Sequence, residues 1–308
     1  VDAIGSKETR VISYSFFTPK NLHSHLRFWD KYNTTDRYWY NIPAMVVCNT
    51  IFYPEFKIRI HISKEIKENP RYEIVEKIIN YFPNLEVITL DYDYTNTEPT
   101  MWRYKPIFDK EFDFVLCRDI DSIPTSDELR ATRYFLENED YLAHTLRTHT
   151  NHTTVPTIIL AGLCGFKPKK IPFIQGFNFE GYYNHFKNSA WGLDQNSLIG
   201  IFAPNKEWTQ SHFLDSPIST FHHSVGNCLL PCQSFNQDFY KNNVNLGEEN
   251  KKLVDFLDLQ TTWAGEPTDI RFDKLDNLLS MGYESAEIMK KCLFECSDSV
   301  KNFYSKNV

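Results

Sequence analysis

Phe114-Val115-Leu116-Cys117-Arg118-Asp119-Ile120-Asp121-Ser122 decides how the chain is read: an apolar run long enough for one strand ends directly on two carboxylates one residue apart. A short apolar run without polar alternation is the pattern of a strand covered on both faces, as strands inside a parallel sheet are. Residues 113–117 therefore predict a buried strand whose carboxyl end carries the acidic pair. Upstream, residues 11–17 (VISYSFF) are rich in β-branched and aromatic side chains and predict a first strand. Lys57–Ile62 (KIRIHI) alternates with period two and predicts a half-buried strand, and residues 85–90 (LEVITL) predict another. Between these lie helical patterns. Residues 44–52 are apolar, residues 72–82 place Ile74, Val75, Ile78, Ile79 and Phe82 on one stripe before Pro83, and residues 101–109 read as a further helix. Strand and helix in alternation predict the α/β class, a Rossmann-like, mostly parallel sheet with flanking helices and ligands beyond the carboxyl ends of its strands.

Downstream, residues 126–138 predict a helix with Ser126 as its N-cap, residues 141–146 a strand, and residues 157–166 an apolar stretch. Beyond about residue 204 the pattern is less regular, with helices expected near 251–256 and 285–296. Residues 1–226 are read as one domain and 227–308 as an extension packed on it, toward the acceptor side.

The 308 residues suffice for a full hydrophobic core. A formal charge of -7 without a long basic run argues against nucleic acid as partner, because neutralising a phosphate backbone needs clustered Lys and Arg. No apolar run approaches a membrane span, so no transmembrane segment is expected. Seven cysteines in a chain of this size favour a reducing compartment, and a cytoplasmic location is the expectation. Cys228/Cys232 and Cys292/Cys296 form two C-x3-C pairs; zinc would use thiolates, but buried small side chains on helices explain the spacing more simply.

Two carboxylates at a strand end can both turn toward a hard cation such as Mg2+ or Mn2+, which prefers oxygen ligands and accepts phosphate oxygens in its other positions. The competing reading is a solvated turn or a helix cap. A second such triplet, Asp91-Tyr92-Asp93, also follows a strand, with nothing nearby to complete a site.

Around the first pair, several segments fall in a telling order. Met101-Trp102-Arg103-Tyr104-Lys105-Pro106 precedes the strand; Ala161-Gly162-Leu163-Cys164-Gly165-Phe166, Trp191-Gly192-Leu193-Asp194-Gln195 and Phe221-His222-His223-Ser224-Val225-Gly226 follow it. Over residues 11–226 the chain resembles the GT-A fold glycosyltransferases, in which a D-x-D motif chelates the metal bound to a nucleotide-sugar donor; the RD-x-DS form is similar to that of viral and bacterial surface-glycan transferases. The resemblance implies a GT-A type sheet, a UDP- or GDP-sugar donor, a divalent metal (Mn2+ or Mg2+), and transfer of a hexosyl or pentosyl group to a glycan or glycoprotein. It implies Asp119, Asp121 and His223 as metal ligands. Tyr14, Ser15, Arg103, Lys105, Arg118, Asp119 and Gly162 would bind the donor, with Gly162 letting backbone approach its sugar. Asp194 would do acid/base or acceptor-positioning work, or else cap the helix that follows. Arg118 has a second reading as a partner of Asp121, and Arg147, His149 and His152 fall toward the acceptor. The alternatives are another metal-dependent nucleotidyl or phosphoryl enzyme, against which the missing P-loop weighs only in part, and a non-catalytic carbohydrate-binding protein on the same fold.

Overall fold

The computed structural model describes residues 8–18, 36–95, 97–147, 159–188, 193–202, 209–213, 234–235, 245–247, 251 and 280–305. In chain order these give β1 (Arg10–Phe16), α1 (Asp36–Phe52), β2 (Lys57–Ile62), α2 (Lys64–Lys67), α3 (Glu73–Tyr81) and β3 (Leu85–Thr89). A 3-10 helix (Glu98–Tyr104) runs into α4 (Lys105–Phe108), followed by β4 (Phe114–Arg118), α5 (Ser126–Glu137), β5 (Ala143–Arg147) and β6 (Leu163–Phe166). Then come α6 (Phe179–Phe186), α7 (Leu193–Phe202), β7 (Thr209–Phe213), β8 (Ser234–Phe235), α8 (Glu284–Phe294) and α9 (Asp298–Ser305).

The described strands form one sheet in the order β3-β2-β1-β4-β6-β5-β7-β8. Only β6 runs against its neighbours, antiparallel to both β4 and β5; every other pairing is parallel. The class is therefore the expected one, α/β with a mostly parallel, Rossmann-like sheet. From β1 the chain steps outward through β2 to β3, then returns to pair β4 on the other side of β1. The crevice beyond the carboxyl ends of β1 and β4 is thus the point where strand order reverses, the place where open α/β sheets bind ligands.

Pleating sorts the side chains into two apolar layers. Ile12, Tyr14, Phe16, Phe114 and Leu116 face α1 and α3, while Val11, Val115 and Cys117 face the 3-10 helix, α6 and α7. β4 is buried at all five positions, as its apolar run requires.

Four local expectations are corrected. β2 is covered on both faces, not one: Arg59 lies over the Phe112 ring and pairs with Glu86, Asp109 and Glu111, and His61 is sealed in beside β1. Helix α1 begins at Asp36 and contains Pro43, because Trp39 and Ile42 extend its buried face across the proline. Residues 98–104, with Pro99 near their start, are 3-10 rather than α, and only Lys105–Phe108 of the expected 101–109 helix is α. Helix α5 is capped by Thr125, whose hydroxyl accepts from Glu128 N at 3.2 Å, and Ser126 is its first residue.

Helices α8 and α9 pack on α1 and α3. Tyr304 Oη donates to Trp39 O at 2.9 Å, Tyr40 stacks on Phe303 at 4.2 Å, and Ser297 N donates to Glu73. Cys292 and Cys296 are free, buried thiols, which burial pushes up to about 11. Cys228 and Cys232 lie outside the described residues, as do residues 252–256. Among the described residues no helix is long and apolar enough to cross a membrane.

His61 sets a pH limit on stability. Its Nδ1 lies 3.3 Å from Tyr14 O, and burial, aided by the Arg59 charge, pushes its pKa down to about 3. An unfolded histidine binds its proton near 6.5, so between these values the unfolded chain holds more protons and stability falls as pH falls. The urea midpoint of the wild type should drop more between pH 6.5 and 4.5 than that of His61→Gln, with a difference of up to about 1.4 kcal/mol per pH unit.

Candidate active site

The acidic pair sits on a tight loop that leaves β4. Asp119 O accepts from Ser122 N at 3.3 Å and from Ser122 Oγ at 2.8 Å. From behind, Asn41 of α1 donates to Ile120 O at 2.6 Å and to Ser122 O at 3.3 Å, and the Ile120 side chain is buried. Every backbone carbonyl so held keeps the Asp119 and Asp121 side chains on one fixed frame.

Arg103 closes the front. It is delivered by the 3-10 helix, whose position against β1 is set where Arg103 N donates to Ser15 Oγ at 2.8 Å and Ser15 Oγ donates to Thr100 O at 3.3 Å. Its guanidinium is almost fully buried and donates through Nη1 to Asp119 Oδ1 and through Nη2 to Asp194 Oδ2. Burial opposes the charge, but Asp119, Tyr104 and Asp194 overcome that effect and hold the Arg103 pKa well above its ordinary value. Its Nε is buried and has no hydrogen-bond partner among the described residues. Asp194 lies in the first turn of α7, and its Oδ1 accepts from Gln195 N at 2.8 Å. Gly162 completes the group: a Cβ there would lie 1.9 Å from Asp119 Oδ2, so any larger residue would push the carboxylate out of its place.

The structure thus gathers Ser15, Arg103, Asp119, Gly162 and Asp194 at the β1/β4 crevice, with Asp121 buried in the same loop. His223 lies outside the described residues, as do Trp191, Gly192, His149 and His152. Arg147 ends β5 and is buried. Asp91 and Asp93 are exposed beyond the edge strand β3.

Three residues expected at the donor stand apart from this group. Tyr14 points to the opposite face of the sheet from Ser15, where its Oη accepts from Asn49 at 2.7 Å. Lys105 pairs with Asp109 at 3.1 Å. Arg118 shares the Leu116 face of β4 and is buried against Glu128 of α5, not Asp121; it also donates to Cys117 O at 3.0 Å and Cys164 O at 2.8 Å. Adjacent residues of a strand point oppositely, which is why closeness to Asp119 in sequence misplaces Arg118. Asn41 was absent from the sequence reading, since it precedes residue 44, where the apolar helical pattern begins.

Among the described residues no three His, Cys, Asp or Glu side chains come together to hold a metal. The chemistry of the Asp119/Asp121 pair still fits a hard divalent cation. Mg2+ in particular is commonly held by one or two carboxylates, with substrate phosphates and water completing its shell. Asp119 keeps 47% of its side chain exposed for that contact.

No protein-family profile matches the chain, and no curated protein matches it in sequence. Solved structures similar to it include S. aureus TarS, a bifunctional glycosyltransferase and a mannosyltransferase. S. aureus TarS 1-349 in complex with UDP is 15% identical with a TM-score of 0.39, over 61% of this chain and 53% of that one. The apo bifunctional glycosyltransferase WbbM is 12% identical with a TM-score of 0.43, over 99% and 53%. The mannosyltransferase PcManGT from Pyrobaculum calidifontis, in complex with GDP-Man and Mn2+, is 10% identical with a TM-score of 0.38, over 98% and 80%. The chain spans about half the length of the first two.

The Arg118–Glu128 pair is inside the protein, so removing one partner strands a buried charge. Arg118→Met should lower the free energy of unfolding by about 3–5 kcal/mol, and adding Glu128→Leu should restore most of the loss. Urea denaturation of the two variants measures both changes.

Proposed function

We propose that the chain is a glycosyltransferase that moves a hexosyl or pentosyl group from a nucleotide-diphosphate sugar, such as a UDP- or GDP-sugar, to a hydroxyl of a glycan or glycoprotein. The observation that carries this reading is the Arg103 bridge between Asp119 and Asp194 at the strand-order reversal. It supplies, at the position where α/β sheets bind nucleotides, a carboxylate for a cation, a buried guanidinium and a second, separate carboxylate.

In this reading Asp119 and Asp121 hold Mn2+ or Mg2+, with His223 as a third ligand. When bound, the cation would neutralise charge on the departing diphosphate. Arg103 fixes the spacing of the two carboxylates. The Asp194 carboxylate would accept the proton of the attacking hydroxyl or fix the acceptor in place. Ser15 sets the height of the 3-10 helix from which Arg103 reaches. Tyr14, Lys105 and Arg118 act through the frame. Residues 1–226 form the transferase unit in this account, and the remainder is an extension on it.

Thermal unfolding against a panel of nucleoside diphosphates and nucleotide sugars, each with and without Mn2+, tests the proposal. One nucleotide should raise the midpoint in a Mn2+-dependent way, by an amount set by about 2.7 kcal/mol at a hundredfold excess over Kd. Asp121→Asn should abolish the Mn2+-dependent part. Asp194→Asn should retain the shift yet lower kcat by about a hundredfold or more. A chain that shows no shift with any nucleotide, and binds glycans equally well without Asp119 and Asp121, is a carbohydrate-binding protein instead.

A further inference from the structure

Beside Asp194, the next side chain of α7 performs a separate task. Gln195 Oε1 accepts from Ala161 N at 3.1 Å, and Gln195 Nε2 donates to Ile159 O. One amide thereby satisfies an N–H and a C=O two residues apart, as a neighbouring β-strand would. The bonded segment leads into a turn closed by Leu163 N donating to Leu160 O at 3.2 Å, with Ala161 and Gly162 at its centre. From the sheet side the same turn is pinned by buried groups. Thr145 Oγ1 accepts from Leu160 N at 2.9 Å, and both Tyr104 Oη and Cys164 Sγ donate to Ala161 O at 3.3 Å. Gly162 of this turn is the residue that touches the Asp119 carboxylate.

We propose that Gln195 is a positioning residue that acts on the acidic site through the 159–163 turn, holding Gly162 where it fixes the Asp119 carboxylate. Consecutive residues of α7 then serve one end: Asp194 reaches Asp119 by way of Arg103, and Gln195 reaches it by way of Gly162. An amide serves both bonds, whereas a carboxylate lacks the donor for Ile159 O, and a thioether has no donor and only a weak acceptor. That the turn controls Asp119 stands on geometry alone; that this control affects cation binding rests on the function proposed above.

The two parts are tested separately on the full chain. Gln195→Met preserves the length of the side chain and removes both bonds. Amide hydrogen exchange should become about tenfold faster in residues 159–166 and also faster in residues 119–123, whose Ser122 amide reports on the Asp119 loop. Unchanged exchange at 159–166, or acceleration there that stops short of 119–123, would overturn the strap. Mn2+ binding, followed by the loss of the free-ion paramagnetic resonance signal, tests the consequence. Gln195→Met should weaken it about tenfold in the wild-type background and less than about twofold in Asp119→Asn, because the effect travels through that carboxylate. Equal losses in both backgrounds would overturn the route. Gly162→Ala, which displaces Asp119 from the other end, should reproduce the loss; full Mn2+ affinity in that variant would also contradict it. If the wild type leaves Mn2+ free, the cation reading falls, and the exchange results still decide whether Gln195 holds the loop.

Discussion

A buried guanidinium is costly to desolvate and is tolerated only where carboxylates meet it with good geometry. Arg103 satisfies that condition with two, Asp119 from the loop after β4 and Asp194 from the start of α7. Three segments are thereby tied to one point, and moving Arg103 away from both carboxylates would strand its buried charge. Asp121 lies buried in the same loop.

The fold supplies the frame for this point without contributing to its chemistry. β4 is covered on both faces, and its two faces carry different duties. Through Arg118 and Glu128 one face anchors α5 and, with it, the far side of the acidic loop. The other face supports the 3-10 helix, where Cys117 Sγ donates to Arg103 O at 3.5 Å. Asn41 and Ile120 hold the loop from the α1 side. The reversed strand β6 brings Gly162 back antiparallel to β4, so that the turn before it arrives at the level of Asp119.

What was legible in the sequence follows from which signals are local. The apolar run of β4 and the stripe of α3 depend on neighbours in the chain, and each predicts its element to within a residue or two, while the alternating order predicts the α/β class. The sense of β6 was not legible, because four residues, one of them glycine, look the same in either direction. Partners of charged residues were the weakest inference. Arg118 and Asp119 are adjacent in sequence, yet the pleat sends Arg118 to Glu128; Arg103, 16 residues before Asp119, is the cation that meets it. Asn41 was hidden because it lies before residue 44, in a polar, aromatic-rich stretch read as a connection. Gln195 was noticed for its neighbour, while its own bonds go to a backbone 34 and 36 residues away, a pairing that no spacing rule encodes.

The most direct test of the account is diffraction at the manganese absorption edge from crystals grown with Mn2+ and a nucleoside diphosphate. The account predicts an anomalous peak at the carboxyl end of β4, bound by Asp119 and Asp121, with the diphosphate on its open side and Arg103 still joined to Asp194. A peak elsewhere in the molecule, or a diphosphate bound at this crevice without manganese beside the two carboxylates, would contradict it.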